Sequence, residues 1–274
     1  MVLLDDTHRE TNYNMPNMKI RWTLLLGVLP LFTTMVSQTY ATPSSTYWTP
    51  MTLDIQSYKV FHITYDSYFT VFRDAEDGAG DFPTDYGLTV GILPFDKVQM
   101  EVGFDFFEPS DHPFFLNAKI GTPADALFEG SPAIELGIFN VGTEEGVTNQ
   151  NIVHLVVGKA FPNIGRISAG PYIGNGDVLV NSDGEKENKG FEIAFDRGFF
   201  PKKDSDGNEF NRMAFATDYA SGDNAFGAGG FGFYYFFTKD ISLLTGPVWF
   251  NDEGINGKWK WTLQLDINLP KIGD

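Results

Sequence analysis

The sequence predicts an all-β protein, a closed antiparallel up-and-down transmembrane β-barrel of about 12 strands. Three segments support this prediction, because apolar and polar residues alternate along each of them. They are residues 98–106, 191–196 and 259–269. Side chains of a strand point alternately to opposite faces, so each segment has one apolar and one polar face. Ionisable groups occupy the polar face in all three, which favours a barrel with lipid outside and water inside.

An antiparallel sheet of a soluble sandwich alternates in the same way, with its polar face in water. The start of the chain favours the membrane. Lys19 and Arg21 precede an apolar run over residues 22–36, and a small-x-small pattern ends at Ala41. A basic region, an apolar region and a small-residue cleavage site are the parts of a secretory signal peptide. We therefore predict export and cleavage after Ala41.

The predicted cleavage gives two parts: an N-terminal extension with the signal peptide, residues 1–41, and a single outer-membrane barrel domain, residues 42–274. Residues 1–17 are acidic and unlike the basic start of a signal peptide, so Met1 and Met18 are alternative initiators. No second long apolar run follows Ala41. Strands must then span the membrane, and only a closed barrel satisfies their backbone groups in lipid.

Composition limits the function classes. The net charge is −17, and it stays −17 after cleavage because residues 1–41 carry equal numbers of acids and bases. This acidity argues against a nucleic-acid partner, which needs clustered Lys and Arg. The chain has no cysteine, so no disulfide braces the fold. Aromatic residues make up 15% of the chain, yet mean hydropathy is only −0.16, as expected when apolar and polar residues alternate.

The first half of the barrel is predicted from aromatic and β-branched runs separated by turn residues. Each run is near the roughly 9–11 residues that a tilted crossing requires. The turn at residues 94–97 contains Pro and Asp in turn-favouring places, and residues 161–164 form another short turn. The predicted strands are residues 57–71, 85–93, 98–107, 113–121, 132–141 and 151–160.

The second half is predicted on the same grounds. Its tenth strand carries an aromatic row, expected to face lipid, opposite Gly230 and Gly232, expected to face the lumen; the row consists of Phe231, Phe233, Tyr235 and Phe237. The predicted strands are residues 165–174, 189–197, 212–219, 225–237, 241–250 and 258–269.

The connections are predicted to alternate between long outside loops and short inside turns, as in barrels whose termini lie in the periplasm. The outside set is residues 73–84, 108–112, 142–150, 175–187, 221–224 and 251–257. The inside set is residues 94–97, 122–131, 161–164, 198–210 and 238–240.

With these features the chain resembles bacterial outer-membrane β-barrel proteins of the small porin-like kind, and residues 245–251 and 259–268 are similar to an uncharacterised group of them. The resemblance implies a Gram-negative outer membrane, reached through the periplasm. It also implies as partners outer-membrane lipid and lipopolysaccharide, the barrel-insertion machinery and small polar solutes. One departure is that such barrels commonly end on an aromatic residue, whereas this chain continues past Leu269 to Asp274. The oligomeric state stays open.

Ionisable residues on the polar faces are the candidate lumen and selectivity residues, because a Lys or Arg facing lipid at mid-depth costs about 2–4 kcal/mol. They are Glu101, Asp105, Lys119, Glu135, Lys159, Arg166, Glu192, Asp196, Arg212, Asp218, Lys260 and Asp266. A ring of such charges selects small solutes or ions. The alternative is an interior salt-bridge network that plugs a narrow barrel.

The functional prediction is a passive channel for small hydrophilic solutes or ions with a weak cation preference. The alternatives are a non-conducting structural or surface-interaction barrel, and a soluble secreted β-sandwich. We predict no enzyme, because no serine with a nucleophile signature accompanies His62, His112 or His154. We predict no metal or cofactor either, because residues 204–209 fail the EF-hand spacing and no helix follows the glycine run at 227–232.

Overall fold

The computed structural model describes residues 45–74 and 82–273, which form one closed barrel of twelve antiparallel strands. Each strand pairs with its neighbours in sequence, and β1 pairs with β12 to close the sheet. The strands are β1 (Phe61–Phe69), β2 (Thr84–Gly91), β3 (Gln99–Glu108), β4 (Phe114–Thr122), β5 (Ala133–Gly142), β6 (Asn149–Phe161), β7 (Gly165–Ile173), β8 (Lys189–Lys203), β9 (Glu209–Ala220), β10 (Ala228–Phe236), β11 (Ile241–Phe250) and β12 (Lys260–Asn268). The predicted fold class is confirmed, and a two-sheet sandwich is excluded.

The predicted signal peptide and its cleavage site lie outside the described residues. Within them, the one helix is α1 (Glu253–Asn256), and no helix is long and apolar enough to cross a membrane. Because consecutive strands are antiparallel, their connections alternate between the two ends of the barrel. One end, here called the long-loop end, carries residues 70–74, 82–83, 109–113, 143–148, 174–188, 221–227 and 251–259.

The predicted end of the eighth strand is wrong. Residues 198–210 were expected to form an inside connection, but β8 continues to Lys203 and pairs with β9 there, with Lys203 opposite Glu209. The turn is reduced to residues 204–208. Its geometry is held by the Asp204 side chain, which accepts hydrogen bonds from the backbone N–H groups of Asp206 at 2.9 Å and Asn208 at 2.8 Å. Aspartate commonly closes turns in this way, so only these five residues are needed for the reversal.

The outward face of the barrel is apolar. Leu136 is 50% exposed and Phe233 is 48% exposed, and the aromatic row of β10 faces outward as predicted. Gly230 and Gly232 of the same strand are buried on the lumen side. A soluble monomer rarely exposes so much contiguous apolar surface, whereas lipid covers such a band on a membrane barrel.

The lumen is occupied by residues 45–60, here called the inner segment. The first strand was expected to begin at residue 57, but β1 begins at Phe61, and the residues before it lie inside the barrel. Tyr47 and Met51 are 0% exposed. A backbone hydrogen bond of 2.9 Å from Thr46 to Thr49 forms a turn, after which the chain runs along the lumen towards the start of β1. The barrel is therefore filled rather than open.

A charge on the outward face should destabilise the barrel according to its depth. Leu136 lies near the middle of β5, and Ile173 ends β7 at the long-loop end. Leu136→Arg should lower the free energy of unfolding in phospholipid vesicles by about 2–4 kcal/mol, against about 0–1 kcal/mol for Ile173→Arg near the interface. Urea titration of both variants measures the difference. Equal losses would mean that the band does not lie across a bilayer.

Candidate functional site

The lumen wall carries a chain of ionisable side chains that runs across five strands. Lys119 Nζ on β4 lies 3.5 Å from Glu101 Oε1 on β3 and 3.8 Å from Glu135 Oε2 on β5. His154 on β6 continues the chain, with Nε2 3.1 Å from Glu135 Oε1 and Nδ1 3.0 Å from Glu192 Oε2 on β8. All five side chains are buried. The alternation along the strands predicted the lumen face for Glu101, Lys119, Glu135 and Glu192 but not for His154, and barrel closure brings the five side chains together.

Gly137 makes room for this chain. It lies opposite His154 in the register of β5 and β6, and a Cβ at this position would stand 2.7 Å from His154 Cδ2. A larger residue at 137 would have to displace the ring from the two carboxylates, because real Cβ contacts are not that short.

Asp218 of β9 holds the turn of the inner segment. Its carboxylate accepts hydrogen bonds from three consecutive backbone N–H groups, at 2.9 Å from Tyr47, 3.0 Å from Trp48 and 2.8 Å from Thr49. The Thr49 hydroxyl donates a fourth, at 2.8 Å. Hydrogen bonds to an ionised acceptor are about twice as strong as those between neutral groups. Asp218 is therefore the principal anchor of the turn.

The ring of Tyr47 lies on a platform of three lumen glycines. A Cβ at Gly232 would stand 2.6 Å from Tyr47 Cε2, and one at Gly246 would stand 2.8 Å from Tyr47 Oη. Gly230 lies equally close to the ring, and the Tyr47 hydroxyl donates to the Pro247 carbonyl at 2.9 Å. The glycines of β10 and β11 thus give the inner segment the space to pack against the wall.

The remainder of the inner segment contacts the opposite side of the barrel. Arg166 of β7 bridges Asp54 of the segment and Asp196 of β8, at 2.8 Å to each carboxylate. Lys119 Nζ donates to the Thr52 carbonyl at 3.1 Å, and the Gln56 N–H donates to Glu101 at 2.6 Å. The polar residues of the wall therefore bind the segment on several sides.

Two further predicted residues lie buried on β12. Asp266 is 3.2 Å from His62 Nε2 on β1 and accepts a 3.3 Å hydrogen bond from the Ser242 hydroxyl. Lys260 Nζ donates to the Thr70 hydroxyl at 2.9 Å.

Lys159 and Arg212 do not join these clusters. Lys159 alternates with buried Gly158 on β6, and its ammonium reaches the Gly130 carbonyl in the loop before β5. Arg212 lies near the start of β9, and its guanidinium donates to the carbonyls of Phe236 at 2.9 Å and Phe237 at 3.0 Å. Lys159 takes the outward side of β6, since it pairs with exposed Ile167 of β7, whereas Arg212 is kept from the middle of the lumen by its place near the start of β9.

A cavity of ≈ 390 Å³ lies between the inner segment and the long-loop end. Asp105 lines it, as predicted for a lumen residue, and its carboxylate accepts a 2.7 Å hydrogen bond from Asn117. Asp66 and Asp85, which were not among the predicted lumen residues, also line it. The alternation along β1 could have identified Asp66 as a lumen residue. The inward side chains of this strand are His62, Thr64, Asp66 and Tyr68, and they alternate with outward Phe61, Ile63, Tyr65 and Phe69.

No family model matches the chain, and no curated protein matches it. Solved structures with a similar fold are found. The KdgM porin is 8% identical, with 77% of this chain and 99% of that chain covered and a TM-score of 0.48. The NanC porin is 6% identical, with 77% and 99% covered and a TM-score of 0.47. The COG4313 outer membrane channel from Pseudomonas putida F1 is 11% identical, with 79% and 97% covered and a TM-score of 0.42. The strand pairing of this chain, not those scores, establishes its fold.

Proposed function

We propose that this protein is an outer-membrane, porin-like barrel that offers small hydrophilic solutes or ions a passive path, with a preference for cations, and that the inner segment closes this path at rest. The observation that supports the proposal is the difference between the wall and its filling. The wall is a continuous ladder of backbone hydrogen bonds with polar, charged side chains inside. The inner segment is held by side-chain contacts, each of which can break without opening the sheet.

The preference for cations follows from the composition of the lumen. Carboxylates outnumber Lys and Arg side chains in the described lumen, so the local potential is negative and raises the concentration of cations. The carboxylates belong to Asp54, Asp66, Asp85, Glu101, Asp105, Glu135, Glu192, Asp196, Asp218 and Asp266, and the bases are Lys119, Arg166 and Lys260.

The arrangement of His62 and His154 does not fit a hydrolytic triad. A nucleophilic triad needs the histidine between the serine and the acid, so that the ring accepts the hydroxyl proton. Here Asp266 lies between Ser242 and His62, and His154 lies between two carboxylates. Both rings are therefore placed to stabilise the wall.

A second candidate is a non-conducting structural barrel. It is favoured by the burial of Tyr47 and Met51, which shows how completely the inner segment fills the bore at its level. Planar bilayers separate the two candidates. Purified protein should give discrete, brief conductance steps if the segment moves, and the absence of steps even after removal of the segment would support the structural barrel.

The charge preference has its own test. A carboxylate and a passing monovalent cation interact by about 1 kcal/mol at 4 Å in water, so removing two carboxylates should lower the cation-to-anion permeability ratio by up to about thirtyfold. Glu101→Gln combined with Asp105→Asn should therefore shift the zero-current potential in a KCl gradient towards zero. The control is Asp183→Asn with Glu185→Gln, which removes two exposed loop carboxylates. An unchanged potential in the lumen variant would reject these residues as selectivity determinants.

A further inference from the structure

We propose that the cavity at the long-loop end binds a small organic cation with a primary ammonium group. The inference rests on the proposed function, because it names a substrate class for the same lumen. The cavity has an acidic wall formed by β1, β2 and β3 and an aromatic wall formed by Trp48 of the inner segment, Tyr68 of β1 and Phe82, which precedes β2. Its volume of ≈ 390 Å³ lies within the range of about 300–1,000 Å³ usual for small-molecule sites.

The acidic wall places like charges side by side. Asp66 on β1 is the direct partner of Asp85 on β2, and the Cβ atoms of such pairs are about 4.5–5.5 Å apart. Asp105 on β3 is the partner of Gly87, two residues further along β2. A Cβ at Gly87 would stand 2.8 Å from Asp105 Oδ1, so the glycine allows this carboxylate to lie across β2. Like charges placed directly opposite each other destabilise a sheet unless a cation lies between them.

Several oxygens of this wall have no hydrogen-bond partner. Asp66 is 8% exposed, and within the part of the chain that the structure describes its Oδ1 accepts no hydrogen bond. The same holds for Asp85 Oδ1 and Thr64 Oγ1, which line the same cavity. Buried polar atoms are normally paired. A primary ammonium carries three donors and no acceptor, which matches a group of unpaired acceptors.

The lysine that lines the cavity already has partners. Lys119 lines the cavity, but its ammonium pairs with Glu101 at 3.5 Å and Glu135 at 3.8 Å and donates to the Thr52 carbonyl. These acceptors share the charge of Lys119, which therefore does not neutralise the pair Asp66 and Asp85. The pair is therefore available to a cation that enters from the long-loop end.

The aromatic wall favours an organic cation over a metal ion. Ring centroids lie 5.6 Å apart for Trp48 and Tyr68, 5.9 Å for Trp48 and Phe82, and 5.1 Å for Tyr68 and Phe82. Aromatic faces attract cations and also pack against alkyl chains. Among the described residues, no group of three or more His, Asp or Glu is close enough to hold a metal ion. Carboxylates on one side and rings on the other match an alkylammonium.

Calorimetry of the full-length protein in detergent tests the inference with 1,4-diaminobutane as the probe. The controls are 1,4-butanediol and succinate, which have the same chain length but carry no charge or negative charge. We expect saturable binding of the diamine alone. Asp66→Asn combined with Asp85→Asn should weaken it at least about tenfold, the effect of losing one hydrogen bond to a charged group. Asp183→Asn with Glu185→Gln is the matched loop control and should leave it unchanged.

Three results would overturn the inference. The first is that the diamine gives no saturable heat. The second is that the diol binds as tightly as the diamine. The third is that calcium chloride, titrated as a further probe, binds more tightly than the diamine. The comparison of the three probes uses the wild-type protein, so it stands even if the double variant fails to fold. Binding in detergent does not require conduction. A barrel that conducts without binding the diamine would contradict this inference alone, and one that binds but never conducts would contradict the proposed function alone.

Discussion

Deletion of residues 45–56 should convert a barrel that is closed most of the time into one that conducts continuously. The deletion removes Tyr47, Met51 and the turn anchored by Asp218, while every strand pair of the wall remains. Each hydrogen bond to a charged group contributes about 1.5–3 kcal/mol, so the several that bind the segment strongly favour the closed state. Planar bilayer recordings should show long openings for the deletion variant and brief ones for the wild type.

A graded variant tests the same closure without shortening the chain. Asp218→Asn keeps the shape of the side chain but removes the charge, and its amide cannot accept all four hydrogen bonds. A loss of about 1.4 kcal/mol should raise the ratio of open to closed time about tenfold. Heat-modifiable migration in gels verifies that both variants fold. A folded deletion variant without conductance would leave only the structural barrel, and one that opens as briefly as the wild type would show that the segment is not the closure.

Lys119→Met should cause a large loss of stability. The change leaves the buried carboxylates of Glu101 and Glu135 without their shared cation. Breaking a buried ion pair by removing one partner costs about 3–5 kcal/mol, because the other charge stays buried and uncompensated. Urea unfolding in phospholipid vesicles, followed by circular dichroism, measures the loss.

Two control variants test whether the loss of stability comes from the buried charges. Lys202→Met changes an exposed lysine of β8 and should alter stability by no more than about 0.5 kcal/mol. Combining Lys119→Met with Glu101→Gln should recover part of the loss, since one uncompensated charge is gone. If the buried and exposed lysines cost the same, or if the second change recovers nothing, then Lys119 does not neutralise these carboxylates.

Much of the barrel was predictable because its signal is local. In β12 the outward residues Leu263 and Leu265 alternate with buried Gln264 and Asp266, and a period of two indicates a strand at any position in the chain. The end of β8 was not predictable in this way. Its residues 198–203 contain a glycine, two adjacent phenylalanines and a proline, which break the alternation, and only pairing with β9 makes them a strand.

The contents of the lumen depend on contacts that no local pattern records. Thr49 and Asp218, which form the main anchor of the inner segment, are separated by 169 positions in the sequence. Residues 51–56 alternate apolar and polar side chains as a strand does, yet they form no strand in the structure, so this local pattern could not predict their place inside the barrel. The alternation of apolar and polar residues correctly predicted that Glu101 and Glu192 face the lumen, and the same pattern along β1 would have predicted this for Asp66. Alternation within one strand does not show which charged side chains of different strands come into contact inside the barrel.

The pairing of β1 with β12 has a consequence for assembly. The inner segment directly precedes β1, and β1 joins the last strand of the chain, so the final seam of the sheet forms beside the segment's own exit. Before this seam forms, the curled sheet is open along its length and the segment can lie against its concave side. Once the seam has formed, entry requires threading through an end of the cylinder. We therefore expect that the inner segment is enclosed in the same assembly step in which β1 pairs with β12 to close the barrel.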